Sequence, residues 1–242
     1  MIVSFRQTYG NERHKLYEVY SKDQRLKELQ NLCDVNIHSF HNCNKGTIEK
    51  YKMFNNSNNV EYLTFNGVSY THTIKELKKK LKEMGCTHFL FTQDDTFSKD
   101  NNHIDWKELI DYVKEHTDNF MLNLSLNTDM VDIRIQPNDK RETFNVFHLT
   151  SKTFNDVGMF PMDDSSYICT IDMLDEIYDD EYLSKGSVWD AEYYLFDKFK
   201  KSVIPRFLIA DYNIVFMNYN IYGRTISKKD KNIELLRSKG LY

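Results

Sequence analysis

Residues 87–97 read Thr-His-Phe-Leu-Phe-Thr-Gln-Asp-Asp-Thr-Phe, and this stretch indicates both the fold and the chemistry of the chain. The apolar run from His88 to Phe91 has the length of a buried strand, and it soon reaches the adjacent carboxylates of Asp94 and Asp95. Open α/β sheets bind ligands at the carboxyl ends of their strands. Paired acids at such an edge can hold a hard divalent cation, which in turn holds phosphate oxygens. The stretch therefore predicts an α/β protein with a metal–phosphate site after this strand.

Strand-like and helix-like segments alternate along the first half of the chain. The apolar patterns predict strands at residues 2–5, 35–40, 60–65 and 88–91. Capping-box spacings at Ser21 and Thr73 predict the starts of two helices, and Gly85 is expected to end the second. This alternation predicts βαβ units and a mostly parallel sheet.

The second half of the chain has a different pattern. Strand-like segments at 120–124, 131–135 and 144–149 are separated by short polar turns, which predicts an antiparallel or mixed addition to the sheet. Helices are expected at 169–183 and 189–199, and a further strand at 207–210. No linker rich in Pro, Gly or Ser interrupts the chain, so one domain spanning 1–242 is the simplest prediction.

The composition excludes several classes of protein. With 242 residues, of which 40% are hydrophobic, the chain can bury a sizeable core. Its 32 basic and 36 acidic residues are intermixed, which argues against a nucleic-acid partner. The four cysteines form no CxxC pair, so we expect neither a disulfide scaffold nor a zinc site, and we expect a reducing, cytoplasmic location. No apolar run reaches the ~18 residues of a membrane span.

Two acidic motifs, in this order, resemble those of glycosyltransferases of the GT-A fold. Residues 93–96, Gln-Asp-Asp-Thr, resemble the metal motif at the end of a central strand, with Gln93 where a strict Asp-x-Asp motif has its first acid. Residues 189–195, Trp-Asp-Ala-Glu-Tyr-Tyr-Leu, resemble the late acidic motif. The resemblance implies a single GT-A-like α/β domain with a Rossmann-like N-terminal half and a mixed central sheet flanked by helices. It also implies a nucleotide-binding half at 1–100 and an acceptor-binding half at 101–242. The size and the Asn/Lys/Tyr-rich composition resemble the small glycosyltransferases of large DNA viruses or AT-rich bacteria, which for a virus would mean the host cytoplasm.

The resemblance also implies roles for individual residues. Asp95 is expected to bind Mn²⁺ or Mg²⁺, and Asp94 to contact the ribose, the metal or a metal-bound water. Asp190 is the first candidate for the base that deprotonates the acceptor, and Glu192 is the second. Residues implied to contact the nucleotide or the leaving diphosphate are Arg6, Gln7, Thr8, Arg13, Asn42, Asp94 and Arg224.

Simpler structural roles remain open for both acidic motifs. Asp94 and Asp95 could cap a turn after the strand, and Asp190 could be the N-cap of a helix. The function expected from the resemblance is hexosyl or deoxyhexosyl transfer from a UDP-sugar to a glycan or glycoprotein acceptor, with inversion. The alternatives are a sugar nucleotidyltransferase and an inactive relative that binds glycan or protein. A nucleotidyltransferase normally has a glycine-rich first loop, and this chain has only Gly10 there.

Overall fold

The computed structural model describes residues 1–10, 16, 20–55, 59–94, 96–98, 104–124, 139–149, 166–201, 206–209 and 216–218. The helices are α1 Gln24–Asn31, α2 Lys45–Phe54, α3 Tyr70–Glu83, α4 Trp106–Lys114, α5 Ile171–Ile177, α6 Asp180–Leu183 and α7 Val188–Lys201. The strands are β1 Ile2–Tyr9, β2 Val35–His41, β3 Val60–Phe65, β4 His88–Gln93, β5 Thr96–Ser98, β6 Met121–Asn123, β7 Asp139–Lys140, β8 Asn145–Leu149, β9 Ser166–Thr170, β10 Arg206–Ile209 and β11 Phe216–Asn218. Within these ranges, no helix is both long and apolar enough to cross a bilayer.

In the described part of the chain, nine strands form one sheet in the order β3-β2-β1-β4-β9-β6-β10-β8-β7. The four N-terminal strands of this sheet, β1 to β4, pair in parallel. Strand β9 pairs antiparallel with both β4 and β6, and β8 pairs antiparallel with β10. Strands β5 and β11 form a separate antiparallel pair. The predicted α/β class, the parallel N-terminal half and the mixed sheet are confirmed.

Helices cover both faces of the sheet. One face, here called the α1/α4 face, packs Leu90 and Ile168 against residues of α1 and α4 such as Leu26 and Leu109. The other, the α3/α7 face, packs residues of β1, β4 and β9 against α3, α5 and α7. Because side chains alternate along a strand, Ile2, Ser4, Arg6 and Thr8 of β1 lie on the α1/α4 face, whereas Val3, Phe5, Gln7 and Tyr9 lie on the α3/α7 face.

Two of the predicted boundaries are wrong, and tertiary contacts explain the differences. Strand β1 does not end at Phe5 but continues to Tyr9, because β2 and β4 pair with its polar half. Cys169 is not helical but lies in β9, a strand buried between β4 and β6. The expected strand at 131–135 lies outside the described residues.

The N-caps of two helices also differ from the predictions. Helix α1 is capped by Asp23, whose carboxylate accepts a hydrogen bond from Leu26 N at 3.0 Å, and not by Ser21. Helix α3 begins after Ser69, so Thr73 lies inside the helix and donates to the Ser69 carbonyl at 3.4 Å. In both cases another good capping residue stands within a turn of the predicted one, and the tertiary structure selects between them.

Candidate functional site

The strand order opens a crevice at the carboxyl ends of β1 and β4. From β1 the sheet runs through β2 to β3, and the chain then returns to place β4 on the other side of β1. The connections that leave two such neighbouring strands run in opposite directions, which creates the crevice where open α/β sheets bind ligands. Its rim is formed by Gln7–Tyr9 at the end of β1 and by Gln93–Asp94 at the end of β4. Asp94 therefore lies at the topological switch point of the sheet, where the connections from β1 and β4 run in opposite directions.

Asp94 follows the last residue of β4 in a turn that buried side chains hold from both sides. The residue is 2% exposed, and its backbone carbonyl accepts a hydrogen bond from Arg6 Nη2 at 2.7 Å. Beyond the turn, Ser98 N donates to the carboxylate of Asp23 at 2.8 Å, which ties β5 to the start of α1. The first acid of the pair therefore has a defined position at the end of the strand.

One described carboxylate at this turn, that of Asp94, is of the kind that oxygen-ligated cations use. Asp94 supplies a carboxylate, whereas Asp95 lies outside the described residues. Across the described ranges, no group of three or more His, Cys, Asp or Glu side chains could hold a metal ion. Mg²⁺ and Mn²⁺ prefer oxygen ligands, and Mg²⁺ commonly uses one or two carboxylates completed by phosphate oxygens and water. The Mn²⁺ or Mg²⁺ site expected from the sequence therefore stays a prediction.

Arg6 lies inside β1, opposite Thr92 of β4, and is 1% exposed. Arg6 lies just past the strand predicted at residues 2–5, and that boundary is wrong because β1 extends to Tyr9. Its guanidinium lies over the ring of Tyr20, with Cζ 4.7 Å from the ring centroid. Arg6 is therefore a buried cation on the α1/α4 face that reaches forward to the acidic turn.

Gln7 and Thr8 also belong to the buried end of β1. Gln7 is 8% exposed, and its Oε1 has no hydrogen-bond partner in the part of the chain that the structure describes. Gln93 lies directly opposite it on β4. A buried amide oxygen without a partner is costly, so Gln7 is suited to accept a hydrogen bond from a ligand. Thr8 is buried on the opposite face of the sheet.

A stack of three rings, which sequence reasoning missed, crosses the ends of β1, β2 and β3. Tyr9 stacks on His41 with centroids 4.8 Å apart and 7° between the planes, and His41 stacks on Phe65 at 5.4 Å. Burial lowers the pKa of His41 to about 4, so its ring is neutral at pH 7, and Ser39 Oγ lies 3.0 Å from its Nε2. Tyr9 remains 37% exposed at one end of the stack. Only Phe65 ends a predicted strand; His41 follows the strand predicted at 35–40, and Tyr9 lies four residues past the strand predicted at 2–5, so the sequence pattern did not reveal the stack.

Asn42 supports the loop between β2 and α2. Its φ of 53° lies in the left-handed region that asparagine tolerates, and its Oδ1 accepts a hydrogen bond from Gly67 N at 3.0 Å. The residue is exposed beside the end of β2. Its amide oxygen therefore already joins the loops that follow β2 and β3.

Asp190 lies in the first turn of α7 and is exposed. Its carboxylate accepts a hydrogen bond from Ser187 Oγ at 2.7 Å, while its backbone N–H donates to the same Oγ at 3.1 Å. Ser187, rather than Asp190, is therefore the N-cap. The loop before α7 is joined to the first turn of α3, because Thr71 Oγ1 donates to the Lys185 carbonyl at 3.3 Å. Helix α3 starts at the carboxyl edge of the parallel strands, so Asp190 lies on the side of the molecule where the crevice opens.

Asn123 is a buried polar residue near the crevice that sequence reasoning did not single out. It ends β6, which runs parallel to β4 because both strands pair antiparallel with β9, and it lies level with Phe91 of β4. The residue is 2% exposed, and no described residue hydrogen-bonds its Oδ1. A polar residue near the end of the apolar run at 120–124 is the signal that could have identified it.

The structure thus places Arg6, Gln7, Thr8 and Asp94 near the ends of β1 and β4, with Asn42 at the end of β2. Arg6 and Thr8 lie on the α1/α4 face, however, and Gln7 lies on the α3/α7 face. Arg13 and Arg224 lie outside the described residues, as does the side chain of Glu192.

Comparisons with known proteins give distant structural similarity alone. No protein-family model and no curated protein sequence matches the chain. Mannose-1-phosphate geranyltransferase from Thermus thermophilus aligns with a TM-score of 0.49 at 10% identity, covering 89% of this chain and 75% of that one. 4-Diphosphocytidyl-2C-methyl-D-erythritol synthase from Anaerococcus prevotii aligns with a TM-score of 0.48 at 10% identity, covering 91% and 93%. An active-site mutant of LgtC aligns with a TM-score of 0.42 at 9% identity, covering 81% and 70%. TM-scores below 0.5 do not establish a shared fold, so the proposals below rest on the residues of this chain.

Proposed function

We propose that this chain is a metal-dependent glycosyltransferase that uses a nucleoside-diphosphate sugar, with a UDP-sugar as the first candidate donor. The observation that carries the proposal is the buried Asp94 turn at the carboxyl end of β4, beside the switch point of the sheet. A carboxylate in this position, followed in sequence by a second one, suits a cation that binds a diphosphate. The acceptor is proposed to be a hydroxyl group of a glycan or glycoprotein.

The nucleoside is proposed to occupy the end of β1. The exposed ring of Tyr9 offers a stacking surface for a base, and the neutral His41 behind it holds that ring in place. On the same face of β1, the unpartnered Oε1 of Gln7 can accept a hydrogen bond from an N–H or O–H group of the nucleoside.

Asp94 and Asp95 are the residues that would hold Mn²⁺ or Mg²⁺. When bound, the ion supplies Lewis acidity and a counter-charge for the leaving diphosphate. Arg224 is proposed to add positive charge near the same group. Arg13 is proposed to contact the phosphates from the segment after β1.

Asp190 is proposed to act as the general base. As the acceptor oxygen forms its bond to the anomeric carbon, the bond from that carbon to the diphosphate oxygen breaks, and the acceptor proton passes to the Asp190 carboxylate. The transition state would resemble an oxocarbenium ion, and attack opposite the leaving group would invert the anomeric centre. Glu192, on the same helix, is the second candidate for this role.

Isothermal titration of UDP with and without Mn²⁺ tests the donor site. We expect Mn²⁺ to strengthen UDP binding to the wild type, and Asp95→Ala and Asp94→Asn each to weaken the Mn²⁺-dependent binding at least tenfold, or about 1.4 kcal/mol. Asp118→Asn is the matched control, because this acid is exposed before the amino end of β6, at the opposite edge of the sheet. We expect it to bind UDP as the wild type does.

A panel of UDP-sugars and a product assay then separate the possible activities. Sugar transfer to a glycan hydroxyl supports the proposal. Release of pyrophosphate from a nucleoside triphosphate and a sugar 1-phosphate would instead identify a sugar nucleotidyltransferase. Absence of UDP binding, even with Mn²⁺, would reject the UDP-sugar donor, and GDP would be tested next. Glycan binding without any transfer would identify a non-catalytic relative.

A further inference from the structure

We infer that Arg6 is a positioning residue that fixes the acidic turn after β4, and that it is not a ligand of the donor phosphates. The inference rests on the proposed function for its role in metal binding, although the contact it describes exists without any ligand. A residue acting in this way determines where Asp94 lies.

The burial of Arg6 favours this role. At 1% exposure, Arg6 is among the largest fully buried side chains of the described residues, so a phosphate could reach it only after the surroundings rearranged. Burying a cation is costly unless fixed partners replace the water it loses. We therefore expect the contacts of Arg6 to be required for the stability of this part of the fold.

The contacts show what Arg6 holds. The register between β1 and β4 ends at the Gln7–Gln93 pair, so the carbonyl of Asp94 is the first beyond the ladder. Arg6 Nη2 donates to this carbonyl at 2.7 Å and so supplies the hydrogen bond that a strand partner would otherwise give. The side chain extends the ladder by one hydrogen bond, past the point where the two backbones separate.

The residues that surround the Arg6 guanidinium are themselves held in place. Its guanidinium lies over the ring of Tyr20, whose hydroxyl donates to Gln30 Oε1 at 2.5 Å and whose ring stacks on Tyr51 at 5.6 Å. His38 lies opposite Arg6 on β2, and burial together with the Arg6 charge lowers its pKa to about 3, so the imidazole beside the guanidinium is uncharged at neutral pH. A planar guanidinium locked between a ring and a carbonyl keeps its geometry better than a flexible ammonium.

The test compares Arg6→Met and Arg6→Lys with Arg25→Met. Arg25 provides a matched control, because its Nη2 also donates to a backbone carbonyl, that of Ile104, and its Cζ also lies 4.7 Å from an aromatic centroid, that of Trp106. Two properties are measured for each variant: hydrogen–deuterium exchange of peptides covering residues 91–98 without ligand, and UDP binding with and without Mn²⁺.

We expect Arg6→Met to accelerate exchange across residues 91–98 at least tenfold and to abolish the strengthening of UDP binding by Mn²⁺, while metal-free UDP binding changes less than about twofold. Arg6→Lys is expected to show a smaller acceleration, because lysine donates from a single point. Arg25→Met is expected to leave both properties of this segment unchanged.

Unchanged exchange together with weaker metal-free UDP binding in Arg6→Met would overturn the inference and make Arg6 a direct phosphate ligand. If Arg6→Met does not fold, Arg6→Lys decides, and wild-type exchange in that variant would overturn the inference. Failure of the wild type to bind UDP would reject the proposed donor site alone, because the exchange measurement tests the contact between Arg6 and Asp94 without any nucleotide.

Discussion

Tyr9 illustrates how a single side chain at the end of a strand can become a binding surface. It is among the large apolar or aromatic side chains that are exposed in the described part of the chain, yet one side of its ring is fixed by the nearly parallel ring of His41. The further contact of His41 with Phe65 extends this support to the third strand. Because the ring of Tyr9 is already immobilised, stacking of a planar ligand costs conformational entropy of the ligand but not of the protein.

We predict that Tyr9→Ala weakens UDP binding roughly tenfold or more, because stacking of a base on an aromatic ring contributes about 1–3 kcal/mol. Tyr9→Phe keeps the ring and is expected to bind UDP within about twofold of the wild type. Titration calorimetry in the presence of Mn²⁺ measures both effects. Met53→Ala serves as the control, since this exposed side chain lies on α2, away from the stack. Equal affinity of the wild type and Tyr9→Ala would show that the base binds elsewhere.

At the scale of an element, the first turn of α7 combines a structural and a proposed chemical role. Ser187 and Asp190 exchange hydrogen bonds at 2.7 and 3.1 Å, an arrangement that satisfies donors at the helix N-terminus. An acid at this position also interacts favourably with the positive end of the helix dipole. The structure therefore accounts for Asp190 without any catalytic role, and substitutions must separate the two.

The substitutions Asp190→Asn and Ser187→Ala separate the capping role of this turn from its proposed catalytic role. The asparagine amide oxygen can still accept from Ser187 Oγ, so we predict that Asp190→Asn keeps the melting temperature but lowers the rate of sugar transfer by roughly 10²–10⁴-fold, the usual contribution of a general base. Ser187→Ala removes the cap and is expected to cost about 1 kcal/mol of stability while leaving the transfer rate nearly unchanged. Thermal denaturation and initial rates measure the two effects. A loss of stability without a loss of rate in Asp190→Asn would assign the acid to helix capping.

Elements set by a local sequence pattern could be predicted, whereas those set by contacts between distant segments could not. Strand β4 and the acids after it were evident because an apolar run followed by carboxylates is a local pattern. The predicted first strand stops at Phe5, because the polar Arg6 and Gln7 fit a strand only when the flanking strands and the covering helices are known. Asn123 and the ring stack depend on register across several strands, which hydrophobic periodicity does not specify.

At the scale of the whole molecule, covering both faces of the sheet buries groups that water would otherwise solvate. His38 and His41 lie on opposite faces of β2, as their spacing predicts for a strand, and each is about 2% exposed or less. Burial lowers the pKa of His38 to about 3 and that of His41 to about 4. The fold thus keeps two uncharged imidazoles inside, and its stability must depend on pH.

The sign of this dependence follows from proton binding. Between the unfolded pKa of about 6.5 and the folded values, the unfolded chain binds protons that the native state excludes, so stability is complete above pH 6.5 and falls as the pH decreases. We predict that His38 alone contributes a loss of ~2 kcal/mol at pH 5 relative to pH 7, and that His38→Asn flattens this part of the pH profile even if it lowers stability at pH 7. Urea unfolding at pH 5, 6 and 7 measures the slope, and His72→Asn, which replaces an exposed histidine of α3, is the control. An identical slope in His38→Asn and the wild type would mean that His38 can be protonated without unfolding, through an opening of the α1/α4 face near Tyr20 and Arg6.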